Sequence, residues 1–240
     1  MQLLAFDTST DTLSIAVARG DALWQHTGPG GAQASSTLLP AIRRLLAQAQ
    51  MDLGALDAIV LGRGPGSFTG LRTACAVAQG LAFGAGHGRG VPVLPVDTLT
   101  AVAEEARLQH GCTQVVAVLD ARMDEVYVAH CQWQDGVWHS DEEFGLCAPE
   151  AVAVPTGWTL AGNAQAAYGQ RLAPGALQVH ALPTASALLR LAPGLLAAGG
   201  ALPAGQALPR YIRDKVAKTT AERAAERAAK TSGPIAPHST

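Results

Sequence analysis

Residues 3–17 read LLAFDTSTDTLSIAV, and this stretch decides the fold. An apolar run from Leu3 to Phe6 leads into a polar turn that begins at Asp7, and apolar residues then alternate with polar or small ones. Alternation with a period of two is typical of a β-strand that is buried on one face. The stretch therefore predicts two strands joined by a tight acidic turn, with a third strand near Trp24.

The same plan returns about 113 residues later, in TQVVAVLDARMDEVYVAHCQWQDGVW at 113–138. An apolar run ends at Asp120, as the first run ends at Asp7. A short polar turn follows, and alternation resumes at Val126 and Val128. Two halves that each open with strand, acidic turn and strand predict an internally duplicated α/β architecture.

A glycine-rich segment, GRGPGSFTGLRTACAVAQG at 62–80, follows a short apolar strand. It matches neither phosphate-binding pattern, G-x-x-x-x-G-K-[ST] or G-x-G-x-x-G, because it has no lysine and because Ser67 and Thr69 stand where a third glycine would fall. Either the loop and the first acidic turn form an anion or nucleotide site, or the loop only turns the chain sharply under a neighbouring strand. The candidate anion-site residues are Asp7, Thr8, Ser9, Thr10, Gly64, Gly66 and Ser67.

Two helices flank this loop in the sequence. The first, over about 35–50, is amphipathic, with Ser35 or Ser36 as the expected N-cap. The second, over about 69–84, is rich in glycine and alanine, although a glycine inside a helix costs about 0.5–1 kcal/mol relative to alanine. Close approach by another element, either within this chain or in a partner protein, is expected to offset that cost.

Composition narrows the possible classes of protein. A chain of 240 residues with 48% hydrophobic content can form one large or two small globular domains. It has no run of eighteen apolar residues and no recognisable signal peptide, so we expect a cytoplasmic protein without a membrane segment. The four cysteines form no C-x-x-C pair, and no two of the seven histidines are four residues apart. The sequence therefore predicts no catalytic residue and no metal site from these residue types. The acidic turns at Asp7 and at 120–125 are the candidates for handling a nucleotide or metal, with ordinary turn chemistry as the alternative.

Charge is distributed unevenly, although the net charge is only −2. Residues 210–230 contain seven Lys or Arg residues and three Asp or Glu residues. This end of the chain is interpreted either as an RNA contact or as a solvated, partly helical terminus. The predicted domains are a first lobe over 1–98, a second lobe over 99–218, and a basic, low-complexity and largely disordered tail over 219–240.

Five segments in this order resemble the bacterial TsaB family, also called YeaZ, and the resemblance covers about residues 1–218. These segments are LLAFDTSTDTLSIAV, GRGPGSFTGLRTACAVAQGLAFG, VDTLTAVA, LDARMDEVY and PRYIR. The resemblance implies a duplicated actin-like ATPase (ASKHA) fold with two lobes, each with a mixed sheet and flanking helices. It also implies membership of the complex that places threonylcarbamoyl on the adenosine next to the anticodon of ANN-decoding tRNAs.

In that family the related subunit TsaD holds the metal and carries out the transfer, and the ATPase TsaE engages the pair. TsaD-like proteins carry an H-x-x-x-H pair ahead of a helix, whereas residues 34–40 of this chain contain no histidine. The resemblance thus implies a noncatalytic scaffold that binds and activates TsaD and forms a homodimer when alone. It implies contact with tRNA only within the complex, and no cofactor of its own, with ATP or ADP at the junction with the partner.

The family pairs with TsaD through helices that correspond to about 35–50 and 69–84. Two departures from the family pattern are Ala34, where many relatives have histidine, and Asp124, where many have glycine. We expect Asp124 to repel phosphate at the second acidic turn. The predicted partner-binding residues are Leu38, Leu39, Ile42, Leu45, Leu46, Arg72, Ala76, Gly80 and Phe83.

Two other functions are alternatives. An autonomous ATP-binding phosphotransferase of the sugar-kinase type is the main one, and it rests on the shared fold alone. A peptidase is suggested by the older glycoprotease-like naming of relatives, but the sequence offers neither a nucleophile motif nor metal ligands for it.

Overall fold

The structure, a computed structural model, describes residues 1–213. The first sheet has five strands in the spatial order β3-β2-β1-β4-β5. Strands β1, β2 and β3 form an antiparallel meander, and β4 and β5 continue the sheet in parallel with β1. Its strands are β1 (Gln2–Asp7), β2 (Thr12–Arg19), β3 (Ala22–Pro29), β4 (Ala58–Gly62) and β5 (Val93–Val96).

The second sheet repeats this topology in the order β8-β7-β6-β10-β11, with a short strand β9 paired to one end of β7. Again the first three strands are antiparallel and the last two are parallel to the first. The predicted duplication of an α/β unit is therefore confirmed. The strands are β6 (Gln114–Arg122), β7 (Glu125–Gln134), β8 (Val137–Ser140), β9 (Gly145–Cys147), β10 (Thr159–Gly162) and β11 (Leu177–His180).

Within residues 1–213 the α-helices are α1 (Ala34–Gln48), α2 (Phe68–Gly84), α3 (Thr98–His110), α4 (Gln165–Tyr168) and α5 (Ala185–Ala197). Helices α1 and α2 pack on the outer face of the first sheet, and α3 packs on the second sheet. The predicted boundary between residues 98 and 99 lies at the start of α3, between the two sheets in sequence. Helix α5 follows the second sheet in sequence but packs against β1, β2 and β4 and contacts α3, so the two lobes share a central helical layer.

Strand β1 shows why an uninterrupted apolar run forms a central strand. Its side chains alternate between two faces, and both faces are covered. Leu4 and Phe6 pack in a core with α1 and α2, while Leu3 and Ala5 pack in a second core with α5. This burial places the acidic end of β1, and by duplication the end of β6, at the junction of the lobes.

Some local predictions need correction. Helix α1 begins at Ala34, and the Ser36 hydroxyl donates back to the Gln33 carbonyl instead of capping the helix as predicted. Strands β9 and β11 and the one-turn helix α4 were not predicted from the sequence. The predicted basic tail over 219–240 lies outside the described residues, as do residues 214–218 of the predicted second lobe.

Candidate interlobe cleft and partner surface

A cleft of about 310 Å³ lies between the lobes, where the two duplicated turns face each other. Four segments line it: residues 9–11 of the first turn, 66–69 of the glycine loop, 120–123 of the second turn, and 210–213 near the C-terminal end. Its volume is at the lower end of the range for small-molecule sites.

Asp7, at the end of β1, is fully buried behind the wall of this cleft. Its Oδ1 atom accepts hydrogen bonds from the Ser9 amide at 2.8 Å and the Ser9 hydroxyl at 2.6 Å. Its Oδ2 atom has no hydrogen-bond partner among residues 1–213 and lies so close to Gly62 that any side chain at position 62 would overlap it. Burial raises the pKa of Asp7 to about 6, against the lowering effect of the Ser9 hydrogen bonds.

The glycine loop serves the close approach of this first turn to the start of α2. The Ser67 amide donates to the Ser9 carbonyl at 2.7 Å, and the Thr8 hydroxyl donates to the Gly70 carbonyl at 2.7 Å. A Cβ on Gly66 would lie 2.5 Å from the Ser9 carbonyl oxygen, and one on Gly70 would overlap the Thr8 carbonyl oxygen. Of the two alternatives, the geometry supports a tight turn packed against a neighbouring element.

The second turn is held by polar contacts within the second lobe. The Asp120 amide donates to Asn163 Oδ1 at 2.9 Å, and the Tyr168 hydroxyl donates to Asp120 Oδ1 at 2.8 Å. Asn163 follows β10 directly, so the parallel strand order brings it beside the end of β6. Sequence reasoning did not assign a role to Asn163, although the glycine-asparagine pair after a strand was a visible turn signal.

Asp124, one of the two departures from the family pattern, adopts the left-handed conformation, with φ of 64°. Its carboxylate pairs with both terminal nitrogens of Arg171, each at 2.7 Å. Arg171 lowers the pKa of Asp124 by hydrogen bonding, so the carboxylate is charged. Arg171 also pairs with Glu150, so it offsets only part of the expected repulsion of an anion by Asp124. Ala34, the other departure, is fully buried at the start of α1.

The segment 207–213 crosses from one lobe to the other and forms one wall of the cleft. On the first lobe, the Arg210 amide donates to the Arg63 carbonyl at 2.7 Å, and Gly64 lies directly under the Arg210 carbonyl. On the second lobe, Arg210 donates to the Glu142 carbonyl and Arg213 pairs with Glu125. PRYIR is one of the segments that carry the family resemblance, but its place in the fold could not be predicted from local pattern.

This arrangement leaves little for a phosphate group to bind in this chain. Arg122, Arg210 and Arg213, the arginines that line the cleft, each pair with a carboxylate of the chain. The Thr8 hydroxyl donates to α2 and the Ser9 hydroxyl donates to Asp7. The Ser67 amide donates to the Ser9 carbonyl, and the Thr10 hydroxyl donates to the Thr12 carbonyl. These contacts favour the prediction that this chain alone holds no nucleotide. ATP or ADP at the junction with a partner stays a prediction.

The structure corrects the predicted partner surface on α1. Leu38, Ile42, Leu45 and Leu46 are at most 5% exposed and belong to the core of the first lobe. They face the sheet of their own lobe and are unavailable to a partner in this structure. Of the α1 residues in the predicted set, Leu39 is accessible, with 41% of its surface exposed.

Helix α2, in contrast, presents the predicted residues to solvent. Arg72, Ala76, Gly80 and Phe83 are all exposed and recur at intervals of three or four residues, which places them on one side of the helix. Phe83 is 66% exposed, and no atom lies within 4 Å of a Cβ built on Gly80. We call the exposed residues of α1 and α2 the α1–α2 surface; it is open, and the second lobe does not cover its α2 stripe.

The described part of the chain shows neither a metal-binding cluster nor a membrane span. Within residues 1–213, no group of three or more histidine, cysteine, aspartate or glutamate side chains is arranged to hold a metal ion. None of the helices described there is long and apolar enough to cross a membrane.

The chain is similar to proteins of known family in both sequence and structure. Residues 28–233 match the family model described as TsaD, tRNA N6-adenosine threonylcarbamoyltransferase. The chain is 34% identical to the tRNA threonylcarbamoyladenosine biosynthesis protein TsaB of Escherichia coli (strain K12), over 90% of this chain and 96% of that protein. It is 36% identical to the protein of the same name from Haemophilus influenzae, over 90% and 95%. The solved structure of YeaZ from Pseudomonas aeruginosa matches with a TM-score of 0.80 and 40% identity, over 88% of this chain and 99% of that one.

Proposed function

The chain belongs to the TsaB (YeaZ) family, within the wider family that the TsaD model describes, and on this premise we propose that it is a noncatalytic subunit in the synthesis of threonylcarbamoyladenosine in tRNA. Its role is to bind and activate a TsaD protein, which carries out the transfer. The absence of histidine from residues 34–40, where TsaD-like proteins carry a metal-binding pair, supports the noncatalytic assignment.

One observation carries this proposal: the exposed small-residue stripe of α2. A helix that presents Ala76 and Gly80 to solvent lets a second helix approach its backbone closely. Burial of the flanking Phe83, together with Leu39 on α1, adds apolar area to such a contact. A surface built from two helices is large enough for a standard protein interface of about 1,600 Å² in total.

Other parts of the assembly stay predictions. They are engagement of the pair by TsaE, contact with tRNA only within the complex, a homodimer of the isolated chain, and a cytoplasmic location. An apolar stripe without a partner favours self-association, which supports the homodimer.

The test is affinity purification of the chain with the TsaD homologue of the same genome. We expect Gly80→Leu and Ala76→Arg to weaken binding at least about tenfold, because each fills the space that a partner helix needs. Gly194→Leu and Ala197→Arg on α5 are matched controls, since both positions are exposed on a helix and a side chain at position 194 would point into open space. Undiminished binding by the folded α2 variants would refute this use of the surface.

A further inference from the structure

The α1–α2 surface is basic and free of carboxylates, although the chain as a whole carries a net charge of −2. The segments 22–51 and 58–96, which include both helices, contain no aspartate or glutamate. Three arginines of the helices are exposed: Arg43 and Arg44 on α1, and Arg72 on α2. This surface therefore carries positive charge without a compensating negative group on its own helices.

Most other arginines within residues 1–213 pair with carboxylates; Arg19 and Arg89 do not. The arginines at the cleft and between the lobes are paired with carboxylates, as Arg63, Arg122, Arg190, Arg210 and Arg213 show. Arg43, Arg44 and Arg72 form no ion pair with any carboxylate in residues 1–213. Three exposed arginines without a carboxylate partner within residues 1–213 thus lie on the surface proposed for a partner.

Arg72 is also held in position. Its Nε atom donates to the Tyr211 hydroxyl at 3.0 Å, and its guanidinium carbon lies 3.9 Å from the centre of the Phe68 ring. Both terminal nitrogens remain without a hydrogen-bond partner among the described residues. A guanidinium fixed in this way loses less conformational entropy when it binds a carboxylate with its two terminal nitrogens.

Resting on the proposed function, we propose that the partner brings carboxylates to Arg43, Arg44 and Arg72, and that this charge makes the surface favour an acidic partner over a second copy of this chain. In a twofold symmetric homodimer the same patch faces itself, so the three arginines of each copy meet a basic surface. Like charges across an interface disfavour the wrong partner, whereas complementary charges favour the right one.

The two modes of association respond to salt in opposite directions. Salt screens exposed charges over about 8–10 Å at 0.1–0.15 M ionic strength. Screening removes attraction from the complex with the acidic partner and repulsion from the homodimer. We therefore expect added salt to weaken the first and to strengthen the second.

The experiment uses the full chain and the TsaD homologue of the same genome as the probe, with the dissociation constant measured at about 50 mM and about 300 mM salt. We expect the combined Arg43→Glu, Arg44→Glu and Arg72→Glu variant to bind at least about tenfold more weakly at low salt and to reverse the salt dependence, because salt then screens a repulsion between like charges. A second variant, with glutamine at the three positions, is expected to change the logarithm of the dissociation constant by about half as much. Arg19→Glu, at an exposed arginine of β2 that also lacks a carboxylate partner within residues 1–213, is the control and is expected to bind as the wild type does.

The outcomes separate this inference from the proposed function. If the arginine variants bind as the wild type does while Gly80→Leu abolishes binding, the surface is the docking site but charge does not select the partner, and the inference is wrong. If none of these folded variants changes binding, the docking site lies elsewhere: the inference is wrong, and so is the use of the α1–α2 surface, although binding of TsaD itself stands. Sedimentation of the chain alone supplies the second readout, and a homodimer that dissociates as salt rises would also overturn the inference.

Discussion

Asp11 in the first duplicated turn accepts a hydrogen bond from the Arg122 guanidinium in the second, so the two turns are tied across the mouth of the cleft. The side chains are 80% and 67% exposed. A second tie joins the lobes in the helical layer, where Arg190 of α5 donates to Glu104 of α3 at 2.8 Å, and Glu104 is only 1% exposed. Of these two arginine–carboxylate pairs, one is therefore exposed to water and the other lies largely in the interior.

Removal of these two ion pairs is expected to lower the free energy of unfolding by different amounts. Arg122→Gln is expected to lower the free energy of unfolding by less than about 1 kcal/mol, because exposed ion pairs are weak. Arg190→Met is expected to lower it by about 3 kcal/mol, because it leaves the buried carboxylates of Glu104 and Glu105 short of a cation. Urea denaturation of both variants measures the difference. Equal costs would contradict the assignment of the interior tie as the stronger one.

The packing of the glycine loop predicts a contrast between two glycines of α2. Gly70→Ala is expected to destabilise the protein by about 2–3 kcal/mol, because its methyl group would overlap the Thr8 carbonyl oxygen. Gly84→Ala, at the last residue of the same helix, has open space around it and is expected to be neutral or to stabilise by up to about 1 kcal/mol. Thermal unfolding of the two variants checks this. A neutral Gly70→Ala would show that the first turn does not pack on α2 in solution.

The buried Asp7 predicts how stability depends on pH. Its pKa is raised from 3.8 to about 6 on folding, so its contribution to stability is fully present below about pH 4 and is lost as the pH rises through 6. The two-unit difference corresponds to a loss of about 3 kcal/mol at pH 7. Asp7→Asn cannot ionise, so its stability relative to the wild type is expected to rise by about that amount between pH 4 and pH 7.

Chemical denaturation at several pH values between 4 and 7 measures this trend. Asp135→Asn, in the exposed turn between β7 and β8, controls for the loss of a carboxylate elsewhere on the chain. A constant difference between Asp7→Asn and the wild type across this range would exclude the predicted titration.

Because the charged side chains of the cleft already have partners within the chain, we expect the isolated chain not to bind nucleotides. Isothermal calorimetry of the isolated chain with Mg·ATP is expected to show no binding tighter than about 100 μM, because its cleft arginines are already paired with carboxylates. Micromolar binding together with ATP turnover would instead favour the sugar-kinase alternative. The same titration repeated on the complex with TsaD asks whether the junction supplies a site that this chain lacks.

Much of the fold follows from local pattern. The alternation in residues 3–17 and 113–138 was enough to predict both hairpins and the duplication, because the spacing of apolar residues reports which faces of a strand are buried. Strands β9 and β11 escaped prediction because they have only three or four residues and are held by pairing to β7 and β10, whose positions the local sequence does not contain.

The site depended on contacts that only the tertiary structure decides. The sequence identifies one apolar stripe on α1, through Leu38, Ile42 and Leu45. In the structure this stripe packs against the first sheet, so these side chains are buried in their own lobe and are not available to a partner. The surface that we propose for a partner is consequently the exposed side, with Leu39 and the α2 stripe. The need for glycine at position 70 likewise arises from the Thr8 carbonyl oxygen, which is 62 residues away in sequence and adjacent only after folding.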